Sequence, residues 1–187
     1  MSAQSEFSWR EAAWVVSSGG LIAYPTESVY GIGCDPGNEN ALLDLLAIKR
    51  RDWRKGVILV AASMAQLEPW LAPLDETIQA KLDATWPGPT TWLLPAAAGV
   101  SPLVRGEHDS IAVRVSAHPV VQGICKALGG PMVSTSANVS GRRPMTSSTR
   151  VRLAFGNKID FVVSGKLGGL DRPTEIRDGI SNQCIRS

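Results

Sequence analysis

Tyr24-Pro25-Thr26-Glu27-Ser28-Val29-Tyr30-Gly31 is the stretch of sequence that constrains the fold most strongly, because it marks where a buried strand ends. The four residues before Pro25 form a short apolar run of the kind that strands have. A residue that precedes proline is restricted to extended conformations, so such a dipeptide commonly closes an element. The sequence therefore predicts a strand over residues 21–24 that releases Thr26 and Tyr30 into a loop.

Helical and strand patterns alternate on either side of this stretch. Residues 8–11 resemble a capping box and Gly19-Gly20 a helix stop, which predicts a first helix between them. Residues 40–50 have apolar side chains at helical spacing, and 57–61 is an apolar run of the kind that a sheet buries on both faces. Further along, the patterns predict short helices at 66–70 and 77–84, strands at 90–94, 111–115, 132–135 and 161–164, helices at 120–128 and 149–155, and an edge strand at 174–177.

The order of these elements predicts an α/β fold. It mixes β-α-β units with strands that follow one another directly, so we expect a twisted mixed parallel/antiparallel sheet flanked by helices. The chain of 187 residues is long enough for one full core and shows no linker and no repeat, so a single domain is expected over 1–187. The loop at 96–110 is a candidate for a mobile cover or a hinge.

The composition is that of a globular protein, with 44% hydrophobic and 19% charged residues. No window approaches the roughly 18 consecutive apolar residues of a membrane-spanning helix, and residues 1–10 have no signal-peptide pattern. Cys34, Cys125 and Cys184 are odd in number and far apart, so neither a disulfide framework nor a cysteine-rich zinc site is expected. We therefore expect a soluble, cytoplasmic protein.

Glycine-rich phosphate-binding motifs are missing from the sequence. Gly31 and Gly33 do not continue into a dinucleotide fingerprint, and the P-loop pattern does not occur. A bound nucleotide would therefore be held by side-chain cations, and Lys49, Arg51 and Lys55 could supply them, since arginine binds phosphate oxygens as a fork and lysine as a point charge. The alternative is that these residues complement the dipole at a helix end and stay solvated.

Two further polar features lie on predicted strands. Residues 134–141 place hydroxyl and amide groups directly after a buried strand, where sheet proteins often bind ligands, although a serine-rich turn that caps the next element explains them equally well. Arg114 shares a strand face with Ala112; it needs an anion if that face is covered, but exposure is the commoner case. His108 and His118 have no partner at metal-site spacing, so no metal site is predicted, and Pro119 makes His118 a helix-start residue.

Six stretches resemble, in sequence order, the motifs of the YrdC-type threonylcarbamoyl-AMP synthase family. They are YPTESVYGIG (24–33), IKRR (48–51), WPGPTT (86–91), AVRV (112–115), STSANVSG (134–141) and PTEIRD (173–178). The resemblance implies a YrdC-like sheet around a concave basic cavity, in the short form that lacks the extra C-terminal domain of longer relatives. It also implies the reaction of L-threonine, bicarbonate and ATP to L-threonylcarbamoyladenylate and diphosphate, the first step of N6-threonylcarbamoyladenosine formation at position 37 of tRNAs that read codons beginning with A.

The resemblance also implies roles for individual residues. Lys49 and Arg51 would be catalytic, ATP would enter with Mg²⁺, and the adenylate would pass to a tRNA-modifying transferase complex. The residues implied to bind ATP are Lys49, Arg51, Lys55, Ser134, Ser136 and Asn138, and those implied to bind threonine are Thr26, Tyr30, Arg114 and Thr174.

Three positions depart from the family pattern, and two other functions compete with the implied one. Asp52 stands where proline is usual, Ser28 where threonine is frequent, and Glu175 follows Thr174 where threonine is commoner. One alternative is an RNA-binding or ribosome-assembly module, in which the concave basic face would hold a phosphodiester backbone with steeply salt-dependent binding. The other is a carbamoyl-handling enzyme of the hydrogenase-maturation type, whose chains are far longer.

Overall fold

Six helices and nine strands make up the part of the chain that the computed structural model describes, residues 3–186 with side chains from Ser5 onward. The helices are α1 (Ala3–Ser17), α2 (Glu39–Lys49), α3 (Glu76–Asp83), α4 (Pro102–Arg105), α5 (Pro119–Leu128) and α6 (Ser148–Phe155). The strands are β1 (Ile22–Pro25), β2 (Tyr30–Gly33), β3 (Ile58–Ala61), β4 (Thr91–Pro95), β5 (Ser110–Val115), β6 (Met132–Ser136), β7 (Phe161–Val162), β8 (Ile176–Asp178) and β9 (Cys184–Arg186). Short 3₁₀ turns occupy Trp53–Lys55, Met64–Gln66, Glu68–Trp70 and Gly156–Lys158.

These nine strands join one sheet, in the spatial order β7-β1-β2-β6-β3-β5-β4-β8-β9. The pairs β1 with β7, β3 with β5 and β4 with β8 are parallel, and the other neighbours are antiparallel. The mixed parallel and antiparallel sheet flanked by helices, which the sequence predicts, is therefore confirmed. A single domain over 1–187 stays a prediction, and residues 1, 2 and 187 lie outside the described part.

Helices cover both faces of the sheet. On one face, α1 and α5 pack on a core that includes Val16, Val60 and Ile124. On the other face, α2, α3 and α6 pack on a larger core that includes Leu45 and Leu59. Successive strand residues point to opposite faces, and Leu59 and Val60 are both fully buried. Strand β3 is thus buried on both faces, as its apolar run predicts.

The motif at 24–31 forms a hairpin rather than a strand followed by a loop. Strand β2, which the sequence analysis did not predict, pairs antiparallel with β1, and the amide of Thr26 donates to the carbonyl of Val29 at 3.0 Å to close the turn. The prediction that Tyr30 lies in a loop is therefore wrong. Glycine weakens a strand interior, but a Cβ at Gly33 would lie 2.3 Å from the carbonyl oxygen of Val133, so the neighbouring backbone leaves no room for a side chain.

Two other predictions are wrong, α4 and β9 were not predicted, and the helix predicted at 66–70 is a pair of 3₁₀ turns, while the remaining elements agree within a few residues. Helix α1 begins at Ala3, so Ser8 lies inside it and the predicted capping box is wrong. Strand β8 was predicted to be an edge strand, but β9 pairs with its outer side. Helix α5 begins with His118 as its N-cap, as Pro119 indicates. Within residues 3–186, none of the helices is long and apolar enough to span a membrane.

The loop at 96–110 packs against the segment that precedes β3. It contains α4, whose Val104 is fully buried and accepts a hydrogen bond from the amide of Val57 at 2.9 Å. The amide of Glu107 donates to the carbonyl of Arg54 at 3.1 Å. The loop therefore forms one side of the site described next, and its mobility stays a prediction.

Candidate functional site

A row of residues across four neighbouring strands forms the floor of the candidate site. Ser134 of β6 and Ala112 of β5 both lie beside Ile58 of β3, and Leu93 of β4 lies opposite Ala112. All four residues line one cavity. The helices α1 and α5 cover this face of the sheet at the other ends of the strands, so the row remains open where these helices do not reach.

Two cavities adjoin at this floor, and the larger of the two has a volume of about 340 Å³ and a basic border. Four cationic side chains line it, those of Arg51, Lys55, Arg105 and Arg186. Aliphatic side chains of β4, β8, β9 and α4 line another part of it. Its size falls in the range of small-molecule and nucleotide sites. Such a lining could accommodate both a flat apolar base and an anionic chain.

A smaller cavity of about 160 Å³ adjoins the first. It is lined by all four residues predicted to bind threonine, Thr26, Tyr30, Arg114 and Thr174. Ile58, residues 134–136 and Arg186 line both cavities and so form a shared wall. The predicted threonine residues thus lie on the smaller cavity, whereas Arg51 and Lys55 of the predicted ATP set lie on the larger one and Ser134 and Ser136 on the shared wall. Two adjoining spaces are the arrangement that a reaction between two bound molecules requires.

Lys49 ties the end of α2 to the turn after β6. Its side chain is only 3% exposed, and its ammonium donates to the carbonyl of Ser136, to the carbonyl of Asn138 at 2.8 Å and to Oδ1 of Asn138 at 3.3 Å. Burial, together with the charge of Arg51, lowers the pKa of Lys49 to about 8. The alternative that Lys49 stays solvated at a helix end is therefore wrong. The residue lines neither cavity.

The turn that Lys49 holds is itself closely hydrogen-bonded. The hydroxyl of Ser136 donates to Oδ1 of Asn138 at 2.6 Å, and Nδ2 of Asn138 donates to the carbonyl of Arg142 at 2.7 Å. These contacts direct the exposed Ser136 toward the shared wall of the cavities, while Asn138 lies behind it. Three of the residues predicted to bind ATP, Lys49, Ser136 and Asn138, are thus brought together, with Ser136 at the cavity surface.

Arg51 and Lys55 follow α2 and lie on the rim of the larger cavity. Nε and Nη2 of Arg51 both donate to the carbonyl of Gly56, at 3.1 and 2.8 Å, and burial lowers the pKa of this guanidinium. Lys55 is exposed. Asp52, which stands where the family usually has proline, caps the short turn between them by accepting from the amide of Arg54. The presence of Asp52 instead of proline therefore leaves Arg51 and Lys55 at the cavity.

Arg114 is buried, which contradicts the expectation that it is exposed. Its side chain is 4% exposed; Nη1 donates to Oγ1 of Thr174 at 2.7 Å, and Nη2 lies 3.3 Å from Oε2 of Glu27. The anion that a covered Arg114 needs is thus the carboxylate of Glu27, 87 residues away in sequence. The hydroxyl of Thr174 is fixed by the arginine, while Glu175 pairs with Arg177 at 2.6 Å and so turns away from the cavity lining.

Thr26 and Tyr30 are buried and use their hydroxyl groups within the protein. Oγ1 of Thr26 donates to the carbonyl of Val29 at 2.7 Å. The phenol of Tyr30 donates to the carbonyl of Gly165 at 3.1 Å and accepts from the amide of the same residue at 3.2 Å. Both residues therefore shape the wall of the smaller cavity, and Tyr30 also anchors the chain that leads to Thr174.

Arg186 is a site residue that the sequence analysis missed. It lines both cavities, and its Nη2 donates to the carbonyl of Thr174 at 2.8 Å. Partial desolvation and the charges of Arg114 and Arg51 lower its pKa. Arg105 and His108 were likewise missed as lining residues of the larger cavity. A lone arginine in a short exposed strand gives no signal in sequence, because only the pairing of β9 with β8 brings it here.

Comparisons of the sequence find close relatives along almost the whole chain. The Sua5/YciO/YrdC family model, described as telomere recombination, matches residues 15–187. A protein of Halorhodospira halophila called threonylcarbamoyl-AMP synthase is 52% identical over 180 residues, 96% of this chain and 94% of that protein. A protein of Chromohalobacter salexigens with the same name is 51% identical over 176 residues, 94% of this chain and 95% of that protein.

Solved structures share the fold. Sua5 of P. abyssi complexed with L-threonine has a TM-score of 0.87 and 32% identity, and the match covers 92% of this chain and 51% of that one. The chain therefore spans about half the length of that Sua5 chain. YciO of E. coli has a TM-score of 0.80 and 26% identity, with 92% of this chain and 84% of that one covered. Sequence and fold point to the same group of proteins.

Proposed function

The chain belongs to the Sua5/YciO/YrdC family, and on that basis we propose that it is a threonylcarbamoyl-AMP synthase. This membership confirms the resemblance of its six sequence motifs. The relatives named for this activity are about half identical to it over nearly their entire length. Within the site, the observation that carries the proposal is the pair of adjoining cavities, one bordered by cations and the other by hydroxyl groups and a buried arginine.

The reaction joins two anions and therefore depends on charge neutralisation. The amine of threonine and bicarbonate form a carbamate with loss of water; a carbamate oxygen then attacks the α-phosphorus of ATP, and the bond to the leaving diphosphate breaks. No covalent enzyme intermediate is needed. Holding the two reactants in contact and stabilising the charge on the phosphoryl oxygens are the main contributions that a protein can make to such a step.

The larger cavity is proposed to hold ATP. Arg51 and Lys55 on its rim would bind the phosphates, and Ser134 and Ser136 on the shared wall would contact the nucleotide near the reacting phosphorus. Lys49 would keep Ser136 in place and add its positive charge behind the wall, with Asn138 as the link between them. The catalytic roles of Lys49 and Arg51 remain predictions.

The smaller cavity is proposed to hold threonine. Arg114, which lines this cavity and donates to Thr174, would bind the substrate carboxylate beside that residue. Thr26 and Tyr30 would shape the pocket around the side chain. In this arrangement the substrate amine would face the shared wall, where Arg186 borders both cavities.

Mg²⁺ is proposed to enter with ATP as part of the substrate. Among residues 3–186, no group of three or more His, Cys, Asp or Glu side chains could hold a metal ion. Mg²⁺ in nucleotide sites is commonly coordinated by substrate phosphates and water with few protein ligands. The residues present fit a metal carried by the triphosphate, whose remaining charge Arg51 and Lys55 would balance. The ion itself would lower the charge that opposes the attack of the carbamate.

The product is proposed to serve tRNA modification in the cytoplasm. The adenylate would pass to a transferase complex that modifies adenosine 37, and this partner follows from the activity alone. RNA binding by the chain itself stays an alternative: Arg142, Arg143, Arg150 and Arg152 are all exposed, as a phosphodiester-binding surface requires.

Release of diphosphate from ATP tests the proposed function. We expect release only when threonine and bicarbonate are both supplied, and a matched set of reactions omits each in turn. Release that persists without threonine, or no release together with tight and salt-sensitive RNA binding, would contradict the proposal.

A further inference from the structure

Glu27 is a buried carboxylate beside the smaller cavity to which the proposed reaction assigns no role. The residue is 7% exposed and lines neither cavity, although its neighbours Thr26 and Ser28 line the smaller one. A charged group is seldom buried without a partner, because it loses its hydration. The partners of Glu27 should therefore explain why a carboxylate is buried at this position.

Both carboxylate oxygens of Glu27 face β5 and the segment that follows it. Oε1 accepts from the hydroxyl of Ser116 at 2.6 Å, and Oε2 lies 3.3 Å from Nη2 of Arg114. The backbone is fixed as well, because the carbonyl of Glu27 accepts from the amide of Leu170 at 3.0 Å. A Cβ at Gly168 would lie 2.9 Å from Cα of Glu27, so the covering chain packs directly on it. The carboxylate thus has little freedom to turn away from Arg114.

Arg114 keeps donors that the protein does not use. A guanidinium has five N–H donors. Nη1 donates to Thr174, whereas Nε is buried and has no hydrogen-bond partner among the described residues. Oε2 of Glu27 also lacks a hydrogen bond there, so it balances the charge of Arg114 without occupying its donors. Nε is enclosed by the protein, so an anion in the smaller cavity, which Arg114 lines, would accept from the N–H groups of Nη1 and Nη2 that no described residue accepts.

We propose that Glu27 is a positioning residue that acts through Arg114 on the binding of the threonine carboxylate. This inference rests on the proposed function, which puts threonine in the smaller cavity. Glu27 neutralises Arg114, which allows the guanidinium to remain buried, and holds it so that its unused donors face the substrate. Arginine binds a carboxylate well only when its planar fork is aligned with the two oxygens. Loss of this alignment affects threonine and leaves ATP binding intact.

The test is the variant Glu27→Gln, which keeps the size of the side chain and its contact with Ser116 but removes the charge. We expect the KM for threonine, and its Kd by calorimetry, to rise about tenfold or more while the KM for ATP changes less than about twofold. Glu27→Asp restores the charge and should recover part of the affinity. Asp160→Asn is the control, since its Oδ2 accepts from the amide of Leu21 and the residue lines neither cavity; it should change neither KM.

A double variant separates action through Arg114 from a direct effect. In an Arg114→Met background, Glu27→Gln should not weaken threonine binding further, because residues that act as one unit are not additive. The double variant also removes both buried charges together, which avoids the unpaired ion that a single substitution leaves. If Glu27→Gln does not fold, the threonine affinities of Glu27→Asp and of the double variant test the role of Glu27. If threonine binding to the double variant is too weak to measure, the affinities of the single variants test it.

Three results would overturn the inference: a folded Glu27→Gln variant with wild-type threonine affinity, an equal rise of both KM values, or full additivity in the double variant. Failure of the proposed function looks different. If the wild-type protein neither binds threonine nor releases diphosphate in response to it, the proposed function and the role of Glu27 are both refuted. If the wild-type protein binds threonine and Glu27→Gln binds it equally well, only the role of Glu27 is refuted.

Discussion

Lys49→Met removes the buried ammonium that joins α2 to the turn after β6, and its effect on stability should depend on pH. Methionine fills a similar volume but cannot donate to Ser136 or to Asn138. Burial lowers the pKa of Lys49 from 10.5 to about 8. Keeping Lys49 charged inside the fold therefore costs free energy, and the three hydrogen bonds that the ammonium donates offset part of this cost.

The sign of the pH dependence follows from this shift. Above pH 10.5 the amine is neutral in both states and carries no charge cost. As the pH falls from 10.5 toward 8, the unfolded chain binds a proton that the folded state does not, so the stability present at high pH is lost across this window. The difference between the two pKa values corresponds to about 3 kcal/mol. Between pH 7 and pH 10.5 the wild-type protein should therefore gain about 3 kcal/mol of unfolding free energy relative to Lys49→Met.

Urea unfolding of both proteins at a series of pH values measures this difference. All other titrating groups are common to the two proteins and cancel in the comparison. Lys126→Met, which removes an exposed lysine of α5, is the matched control for the loss of a lysine. A difference between wild type and Lys49→Met that stays constant across this pH range would refute the description of Lys49 as a desolvated ammonium. Turnover should also fall about 100-fold or more in Lys49→Met, the scale expected when a group that shapes an electrostatic site is lost.

Three further predictions concern the cavities and the thiols. Thr174→Val removes the oxygen that accepts from Arg114 and should raise the threonine KM about tenfold, whereas Thr174→Ser should stay near wild type; equal kinetics for all three proteins would be inconsistent with this contact. Arg186→Ala should raise the KM values of threonine and ATP together, because Arg186 lines both cavities; a change in only one of them would argue against its shared position. In a thiol titration of the folded protein Cys184 alone should react quickly, because the other two cysteines are buried and have pKa values raised to about 12; rapid reaction of a second thiol would show that the core is more open than described.

The elements that the sequence predicted well are those whose local pattern and tertiary burial agree. The apolar run that became β3 is covered on both faces, and α5 begins at His118 because Pro119 fits a first helical position. Strand β2 was missed because two of its four residues are glycines, which are poor strand formers. Their presence is explained only by the approach of β6, whose Val133 carbonyl leaves no room for a Cβ at Gly33.

The site shows the same division between local and long-range information. The polar turn at 134–141 and the cations after α2 could be recognised from residue types alone. The burial of Arg114 could not, because it depends on Glu27 in a distant hairpin. Lys49 was expected at the cavity surface, yet it crosses to Ser136 and Asn138, 87 and 89 residues away in sequence, and supports the wall from behind. Local sequence identifies which groups belong to the site, and the pairing of distant strands decides which of them face the substrate.

The central claim is that the two cavities hold threonine and ATP so that a carbamate, rather than the carboxylate of threonine, reacts with the α-phosphorus. Mass spectrometry of the products formed with ¹³C-labelled bicarbonate tests this most directly. The account predicts an adenylate that contains threonine and one ¹³C atom, formed in equal amount to the diphosphate released. An unlabelled threonyl-adenylate, or diphosphate without any labelled adenylate, would contradict it.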